Sequence, residues 1–354
     1  MVRNRRVRTG STVAAVVLVA GVMALVAACA PQPGGPSGPA SSWSIDPAAT
    51  DPQLPSDTVS PNLAYLPTGP EAGRLSVILP GTGAGTSNFG ELSGALRQAG
   101  HHVIVLRYSN SLGTPAACPD AAALTDPDCF RTFRSEVTFG ASVPDPDGAS
   151  YDHPVATVDG PRSVTNRLLE LLEHLNGIAP TAGWDQFQLS AGGTCDQVDA
   201  NYGACAADWS KVTAVGHSQG AGVGLYLAKF FPLDRVVMLS GAFDAYHLGG
   251  TSYVPAPWIT EAPLAVAPAD VSTFFHTSDV DLGRMRSVAD AVGVPGAEVS
   301  VTANTPPYGG SNRLITSVGS TCPWDPYGNH NSTAVDICTP DLAYDAAWTE
   351  LVTS

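Results

Sequence analysis

The pentapeptide at residues 216–220, Gly-His-Ser-Gln-Gly, constrains the fold of this chain more than any other feature. It follows the apolar run 211–215 and precedes the run 221–231, whose small and apolar residues suit a helix. This order indicates a sharp strand-to-helix turn, because glycines on either side of the serine remove the Cβ atoms that would clash. The turn lifts the Ser218 hydroxyl clear of a sheet, near the positive end of the following helix. Ser218 is therefore a candidate nucleophile, and a plain loop serine is the alternative.

Segments typical of buried strands alternate with segments typical of helices along most of the chain. The helix predicted over 163–176 has its apolar residues at 3.6-residue spacing. Such alternation predicts an α/β fold with a mostly parallel central sheet and helices on both faces. The predicted strands are 75–79, 103–106, 211–215, 235–239, 271–275 and 298–302, and the predicted helices are 91–98, 163–176, 281–292 and 341–351.

Two long insertions, residues 109–158 and 178–208, interrupt this alternation. Loops of such length inside a domain are usually lids or walls of a functional site, and a plain surface excursion is the alternative. Each insertion contains a pair of cysteines close in sequence. We therefore expect both insertions to be stapled by disulfides.

Six of the seven cysteines fall into three close pairs, and export to an oxidising compartment would favour disulfides. Since near neighbours close most readily, the predicted pairs are Cys118–Cys129, Cys195–Cys205 and Cys322–Cys338. A short loop closed in this way gains roughly 3 kcal/mol in the loop-entropy model. Zinc binding is the competing interpretation, but the sequence has no C-x2-C spacing.

Residues 1–29 have the pattern of an export signal. Arginines at positions 3, 5, 6 and 8 precede the uncharged stretch 11–28, and two alanines stand directly before Cys29. This pattern resembles the lipobox of bacterial lipoproteins, in which the cysteine is lipidated and becomes the new N-terminus. An ordinary cleaved signal and an uncleaved membrane anchor are the alternatives.

The remaining chain divides by composition into two parts. Residues 30–60 are rich in Pro, Gly, Ser and Ala, without apolar periodicity, and we expect an extended tether there. Residues 61–354 are long enough for one large α/β domain.

The net charge excludes some partners. The chain has 17 basic and 32 acidic residues, a formal charge of −15. Without the four arginines of segment 1–29, 13 basic residues face 32 acidic ones, which gives −19. Such a charge argues against nucleic acid or anionic lipid as an electrostatic partner.

With these features, residues 70–354 resemble the α/β-hydrolase superfamily. The resemblance rests on the G-x-S-x-G turn between strand and helix and on the strand–helix alternation. It implies an α/β-hydrolase fold, a catalytic serine, acid and histidine in that chain order, and an oxyanion-binding loop after an early strand.

The resemblance places the acid after a late strand and the histidine after the last one. Asp279 follows the predicted strand 271–275, in a segment similar to the H-G-x-x-D of the family with Thr277 in place of glycine. Asp281 and Asp244 are the alternatives, because Asp281 lies two residues further on and some branches of the family place the acid after the preceding strand. The base is predicted at His330, since no other histidine follows residue 300.

The oxyanion donors are also assigned from the resemblance. One is the backbone N–H of Gln219, directly after the nucleophile. The other is the N–H of Thr82, with Gly83 next, in the glycine-rich loop after strand 75–79. That loop does not match the phosphate-binding patterns G-x-x-x-x-G-K-[ST] or G-x-G-x-x-G, so nucleotide binding is not expected.

The sequence as a whole predicts an exported serine hydrolase that cleaves a small-molecule ester or related acyl bond. It needs no cofactor or metal, and the absence of H-E-x-x-H disfavours a metal-dependent hydrolase. A lipidated Cys29 would hold the protein at the outer face of the cytoplasmic membrane, and secretion is the alternative. The rival function is a non-catalytic envelope lipoprotein that binds a ligand or partner through the same fold.

Overall fold

A computed structural model describes residues 41–191, 194–249, 252–322, 325–340 and 344–354. The strands are β1 (Ser42–Ile45), β2 (Asn62–Tyr65), β3 (Leu75–Leu79), β4 (His102–Val105), β5 (Ser190–Ala191), β6 (Thr194–Cys195), β7 (Val212–His217), β8 (Arg235–Leu239), β9 (Ala245–Gly249), β10 (Ser252–Pro255), β11 (Val271–His276), β12 (Val299–Ser300) and β13 (Arg313–Thr316). The helices are α1 (Pro47–Thr50), α2 (Gly90–Gln98), α3 (Thr114–Ala117), α4 (Asp120–Ala123), α5 (Cys129–Phe139), α6 (Val164–Ile178), α7 (Gln219–Phe230), α8 (Pro257–Thr260), α9 (Leu282–Val292), α10 (Gly328–Asn331) and α11 (Asp345–Thr353). Short 3₁₀ turns cover Thr86–Phe89, Trp184–Phe187, Trp209–Lys211, Pro268–Asp270 and Tyr308–Gly310.

The central sheet contains nine of the strands in the described residues, in the order β1-β2-β4-β3-β7-β8-β11-β13-β12. The pairs β1–β2 and β2–β4 are antiparallel, and every other pair in this sheet is parallel. Two small antiparallel hairpins, β9–β10 and β5–β6, lie outside it.

Helices cover both faces of the sheet, which explains why its central strands are buried throughout and mostly apolar. All five residues of β3 are buried. Val77 and Leu79 pack in one core with residues of α5, α6, α7 and α9, whereas Ile78 packs in a second core with residues of α2 and α11. The predicted fold class, an α/β architecture with a mostly parallel sheet, helices on both faces and disulfide-stapled insertions, is confirmed.

The parallel register brings the ends of five strands, β3, β7, β8, β11 and β13, to one edge of the sheet. Leu79 pairs with Gly216, His217 with Leu239, and His276 with Thr316. Leu79, His217, Leu239, His276 and Thr316 are the last residues of their strands, and Gly216 is the next to last of β7. The loops after β3, β7, β11 and β13 therefore open on the same edge, where ligands bind in open α/β sheets.

The folded domain begins earlier in the chain than predicted. Ser42–Ile45 form β1 of the central sheet, and Asp46 caps α1 by accepting a hydrogen bond from the Ala48 N–H. This corrects the domain start predicted at residue 61 and, from residue 41 onward, the tether predicted over 30–60. Residues 1–40, including the predicted signal and Cys29, lie outside the described residues. No helix in the described part of the chain is long and apolar enough to cross a membrane.

The first insertion, 109–158, contains α3, α4 and α5, and the second, 178–208, contains the β5–β6 hairpin. The structure joins the six cysteines in the predicted pairs, Cys118–Cys129, Cys195–Cys205 and Cys322–Cys338. The first two disulfides lie in the insertions, and the third closes the segment that contains His330.

Candidate active site

Ser218 occupies the strained turn that its neighbours predict. Its φ is +56° and its ψ −119°, directly between the end of β7 and the start of α7. A Cβ at Gly216 would overlap the backbone of Gly220 and Ala221, and a Cβ at Gly220 would overlap the Leu79 carbonyl. The turn therefore requires both glycines, and backbone strain of this kind concentrates at functional sites.

Asp279 and His330 are hydrogen-bonded to each other. The His330 Nδ1–H donates to Asp279 Oδ2 over 2.8 Å, and the Asp281 N–H donates to Asp279 Oδ1 over 3.0 Å. Burial alone would raise the pKa of Asp279, but these bonds and the adjacent imidazoles outweigh it and hold that pKa below its usual value of 3.8. Asp279 is thus an ionised acceptor that fixes the His330 tautomer with Nε2 unprotonated.

The two other candidate acids have different surroundings. Asp244 is fully buried and binds Arg134 through both carboxylate oxygens, at 2.8 and 2.6 Å. Asp281 lies 3.8 Å from the Arg284 guanidinium, and its hydrogen bond to Asp279 is made by its backbone. Of the three, only Asp279 is hydrogen-bonded to His330.

Ser218 and His330 line the same cavity, of about 890 Å³. Neither the Ser218 hydroxyl nor His330 Nε2 has a hydrogen-bond partner among the described residues, so the Ser–His bond of a working triad is not formed in this structure. Catalytic hydrogen bonds are often long in unliganded enzymes and tighten when substrate binds.

The two predicted oxyanion donors border the same cavity. Gln219 is the first residue of α7, so its N–H has no acceptor within the helix. No described group accepts the Thr82 N–H either. The Thr82 hydroxyl donates to Gln219 Oε1 over 2.9 Å, which joins the two donor segments.

Asn110 braces the loop that carries Thr82, a role that the sequence did not indicate. Its buried side-chain amide donates to the carbonyls of Gly81 and Ala84, at 2.7 and 2.9 Å. The backbone carbonyl of Asn110 accepts the Gly83 N–H at 2.9 Å. The loop conformation thus depends on a residue that lies after β4, outside the glycine-rich motif.

His217 packs beside His330, the predicted base, and its own imidazole stays uncharged. Its Nε2–H donates to the His330 carbonyl over 3.4 Å, and the two rings lie 5.2 Å apart. Complete burial, reinforced by the nearby His330, lowers the pKa of His217 to about 3. A neutral imidazole here avoids a second positive charge beside His330 when that residue takes up a proton.

Arg134 joins the nucleophile turn to the wall of the cavity. Besides binding Asp244, this fully buried guanidinium donates to the Gln219 carbonyl over 3.0 Å and to the Thr114 hydroxyl over 2.8 Å. A Cβ at Gly222 would overlap the guanidinium. Glycine inside a helix is the one sequence signal that could have indicated this close approach.

Two groups of side chains in the described residues offer three possible metal-ligand atoms each: Cys118, Cys129 and His153, and Cys322, Asp325 and Cys338. In both groups the cysteines are joined in a disulfide. Metals bind cysteine as the thiolate, which a disulfide does not offer. As paired here, neither group is a candidate metal centre.

No protein-family model and no curated protein matches the chain. Solved structures similar to it include an acetyl xylan esterase from Aspergillus awamori, at 13% identity and a TM-score of 0.36 over 72% of this chain and 80% of that one. Another is an α/β serine hydrolase without a lid from Xanthomonas campestris, at 14% identity and a TM-score of 0.33 over 80% and 86%. Likenesses this weak carry no argument, and the fold class rests on the sheet and helices described above.

Proposed function

We propose that the protein is a serine hydrolase that cleaves a carboxylic ester or a related acyl bond through Ser218, His330 and Asp279. The observation that carries this proposal is the 2.8 Å hydrogen bond between His330 and Asp279, made at the cavity that Ser218 also lines. Unlike either feature alone, the combination supplies a nucleophile and a base of defined tautomer at one site.

In the proposed reaction, His330 Nε2 takes the proton of Ser218 as Oγ attacks the substrate carbonyl carbon. Asp279 stabilises the imidazolium that forms. The N–H groups of Gln219 and Thr82 donate to the oxyanion, and one such donor typically contributes about 2.7–4 kcal/mol to transition-state stability. His330 then gives its proton to the leaving alcohol.

Water completes the cycle on the acyl-enzyme. His330 removes a proton from the water as it attacks the acyl carbon, and it returns that proton to Ser218 when the acid leaves. No step in this scheme needs a group beyond the side chains and N–H groups named.

A fluorophosphonate probe tests the nucleophile. We expect the purified protein to be labelled and Ser218→Ala to remain unlabelled. Ser210→Ala, which removes an exposed hydroxyl from the 3₁₀ turn before β7, should be labelled like the wild type. A folded wild-type protein that stays unlabelled would favour the rival function, a ligand- or partner-binding protein with the same fold.

We further propose that the protein is exported and held at the outer face of the cytoplasmic membrane through a lipidated Cys29. The basic start, apolar stretch and small residues before Cys29 support this proposal. The same signal would lead to a secreted protein if the cysteine were not lipidated.

A further inference from the structure

The cavity beside Ser218 carries negative charge at its lining. Its charged lining residues in the described chain are Asp281 and Asp325, and no lysine or arginine is among the described residues that line it. The oxygens of Asp325 accept hydrogen bonds from the Tyr327 N–H at 2.8 Å and the Asn331 side chain at 3.1 Å. Asp325 is thus held by neutral donors, which leave its charge in place.

The charge of Asp281 is only partly compensated. The nearest cation is Arg284, whose Nε lies 3.8 Å away. That guanidinium also donates to both oxygens of Asp120, at 3.1 and 3.2 Å, and to the Ala245 carbonyl. Since one cation is shared between two carboxylates, net negative charge remains beside the cavity.

A further carboxylate, that of Asp279, accepts a hydrogen bond from the Asp281 N–H and therefore lies close to Asp281. Burial and the charge of Asp279 both raise the pKa of Asp281, in keeping with an excess of negative charge at this point. The Asp281 side chain is still 28% exposed, so a substrate group entering the cavity can approach it.

Large apolar side chains surround the same opening. Val280, Tyr327 and Ile337 line the cavity and are 68%, 54% and 67% exposed, and Leu112 and Pro115 line its wall. Exposed apolar groups clustered at a cavity mark a surface for an apolar ligand. The apolar side chains at the cavity mouth therefore favour a hydrocarbon group, and the carboxylates there repel an anion.

We propose that the acyl group of the substrate is uncharged and apolar, and that Asp281 disfavours acyl groups that end in a carboxylate. This inference rests on the proposed function and specifies the substrate class of the same site. A terminal carboxylate would meet Asp281 without a counter-ion and would give up its hydration against the apolar rim.

Two 4-nitrophenyl esters of equal chain length, the hexanoate and the monoadipate, test the proposal. They differ in that the adipate chain ends in a carboxylate. For the wild type we expect kcat/KM to be roughly tenfold or more higher for the hexanoate, as expected for like charges a few ångströms apart near a protein surface. Asp281→Asn should lower the ratio of the two kcat/KM values, hexanoate to monoadipate, severalfold, because it removes the charge that repels the terminal carboxylate.

Two controls separate local charge from other effects. Asp196→Asn removes the same charge from an exposed site beside Lys211, at the opposite end of β7 from Ser218, and should keep the wild-type ratio. Raising the ionic strength to about 1 M, where the Debye length is about 3 Å, should narrow the wild-type ratio without any substitution.

The outcomes are distinct. Equal kcat/KM for the two esters in the wild type, or an unchanged ratio in Asp281→Asn, would overturn the inference while leaving the hydrolase in place. A protein that is labelled by the fluorophosphonate but cleaves neither ester would overturn the proposed substrate class. A protein that is neither labelled nor active would overturn the proposed function and the inference with it.

Discussion

Thr82 and Gln219 show how single side chains prepare a site whose working groups are backbone atoms. The Thr82 hydroxyl donates to Gln219 Oε1, so the loop after β3 is joined to the first residue of α7. Both residues also carry the N–H groups proposed to bind the oxyanion. The side-chain bond therefore sets the spacing of the two donors.

Loss of this bond should lower kcat more than it raises KM. We expect Thr82→Val, which keeps the N–H and the shape but removes the hydroxyl, to reduce kcat about fivefold to tenfold, the equivalent of the ~1 kcal/mol that one hydrogen bond contributes. Steady-state kinetics on a neutral ester would measure it. Thr82→Ser is the matched control and should stay close to the wild type, and equal kcat in the valine variant would contradict the role.

At this scale the sequence predicted the roles that follow from local pattern and chain order. The turn at Ser218 is encoded by its two flanking glycines, and His330 was the only histidine late enough in the chain. The choice between Asp279 and Asp244 needed tertiary contacts, because both follow strands. Arg134, 110 residues before Asp244 in the chain, holds that carboxylate in an ion pair, which favours Asp279 as the proposed acid. No short-range sequence pattern predicts this pairing.

Among the elements, α5 is joined to the segment between β8 and β9 by a fully buried ion pair, Arg134 with Asp244. Arg134→Met should destabilise the fold by about 3–5 kcal/mol, because Asp244 would remain buried without its counter-charge. Replacing both, as Arg134→Met with Asp244→Leu, should recover a large part of that loss. Urea unfolding of the three proteins measures this.

The comparison between the single and double variants decides the interpretation. If the double variant were no more stable than Arg134→Met, the loss would come from the bonds of Arg134 to the Gln219 carbonyl and Thr114 rather than from the stranded carboxylate. Equal stability of Arg134→Met and the wild type would show that the ion pair contributes little to the fold.

The sequence predicted the strands and helices whose apolar residues follow a clear pattern. It missed the strands and helices of mixed composition. The strand predicted at 235–239 is β8 without change of bounds, and the helix predicted over 163–176 is α6, Val164–Ile178. By contrast, β13 is Arg313–Thr316, with only two apolar residues, and α5 mixes aromatic, charged and β-branched residues over Cys129–Phe139. Their burial comes from neighbours distant in sequence, which local propensity does not contain.

For the molecule as a whole, the start of the domain was the least predictable boundary. Residues 41–60 have the composition of a linker, yet β1 pairs with β2 and extends the sheet at its edge. Pairing with a strand some twenty residues away overrides composition, because the backbone bonds of a ladder depend little on side-chain type.

Cellular location is a prediction for the entire chain. If Cys29 is lipidated, Cys29→Ala should shift the protein from the membrane fraction to the soluble fraction of the producing cell, because the lipid supplies the attachment. Fractionation followed by immunoblotting measures the distribution. An unchanged distribution would contradict the lipobox interpretation.

The disulfide Cys322–Cys338 encloses His330, the proposed base, together with Tyr327 and Ile337 of the cavity mouth. The proposed base and part of the cavity mouth therefore lie in one disulfide-closed segment, residues 322–338. Replacing residues 322–338 as a unit would change the proposed base and the cavity mouth together. Substitutions at Val280 or Leu112 would change the cavity lining alone, because both residues lie outside this segment. For the same reason, changes in substrate preference during evolution should occur mainly outside the loop closed by the Cys322–Cys338 disulfide.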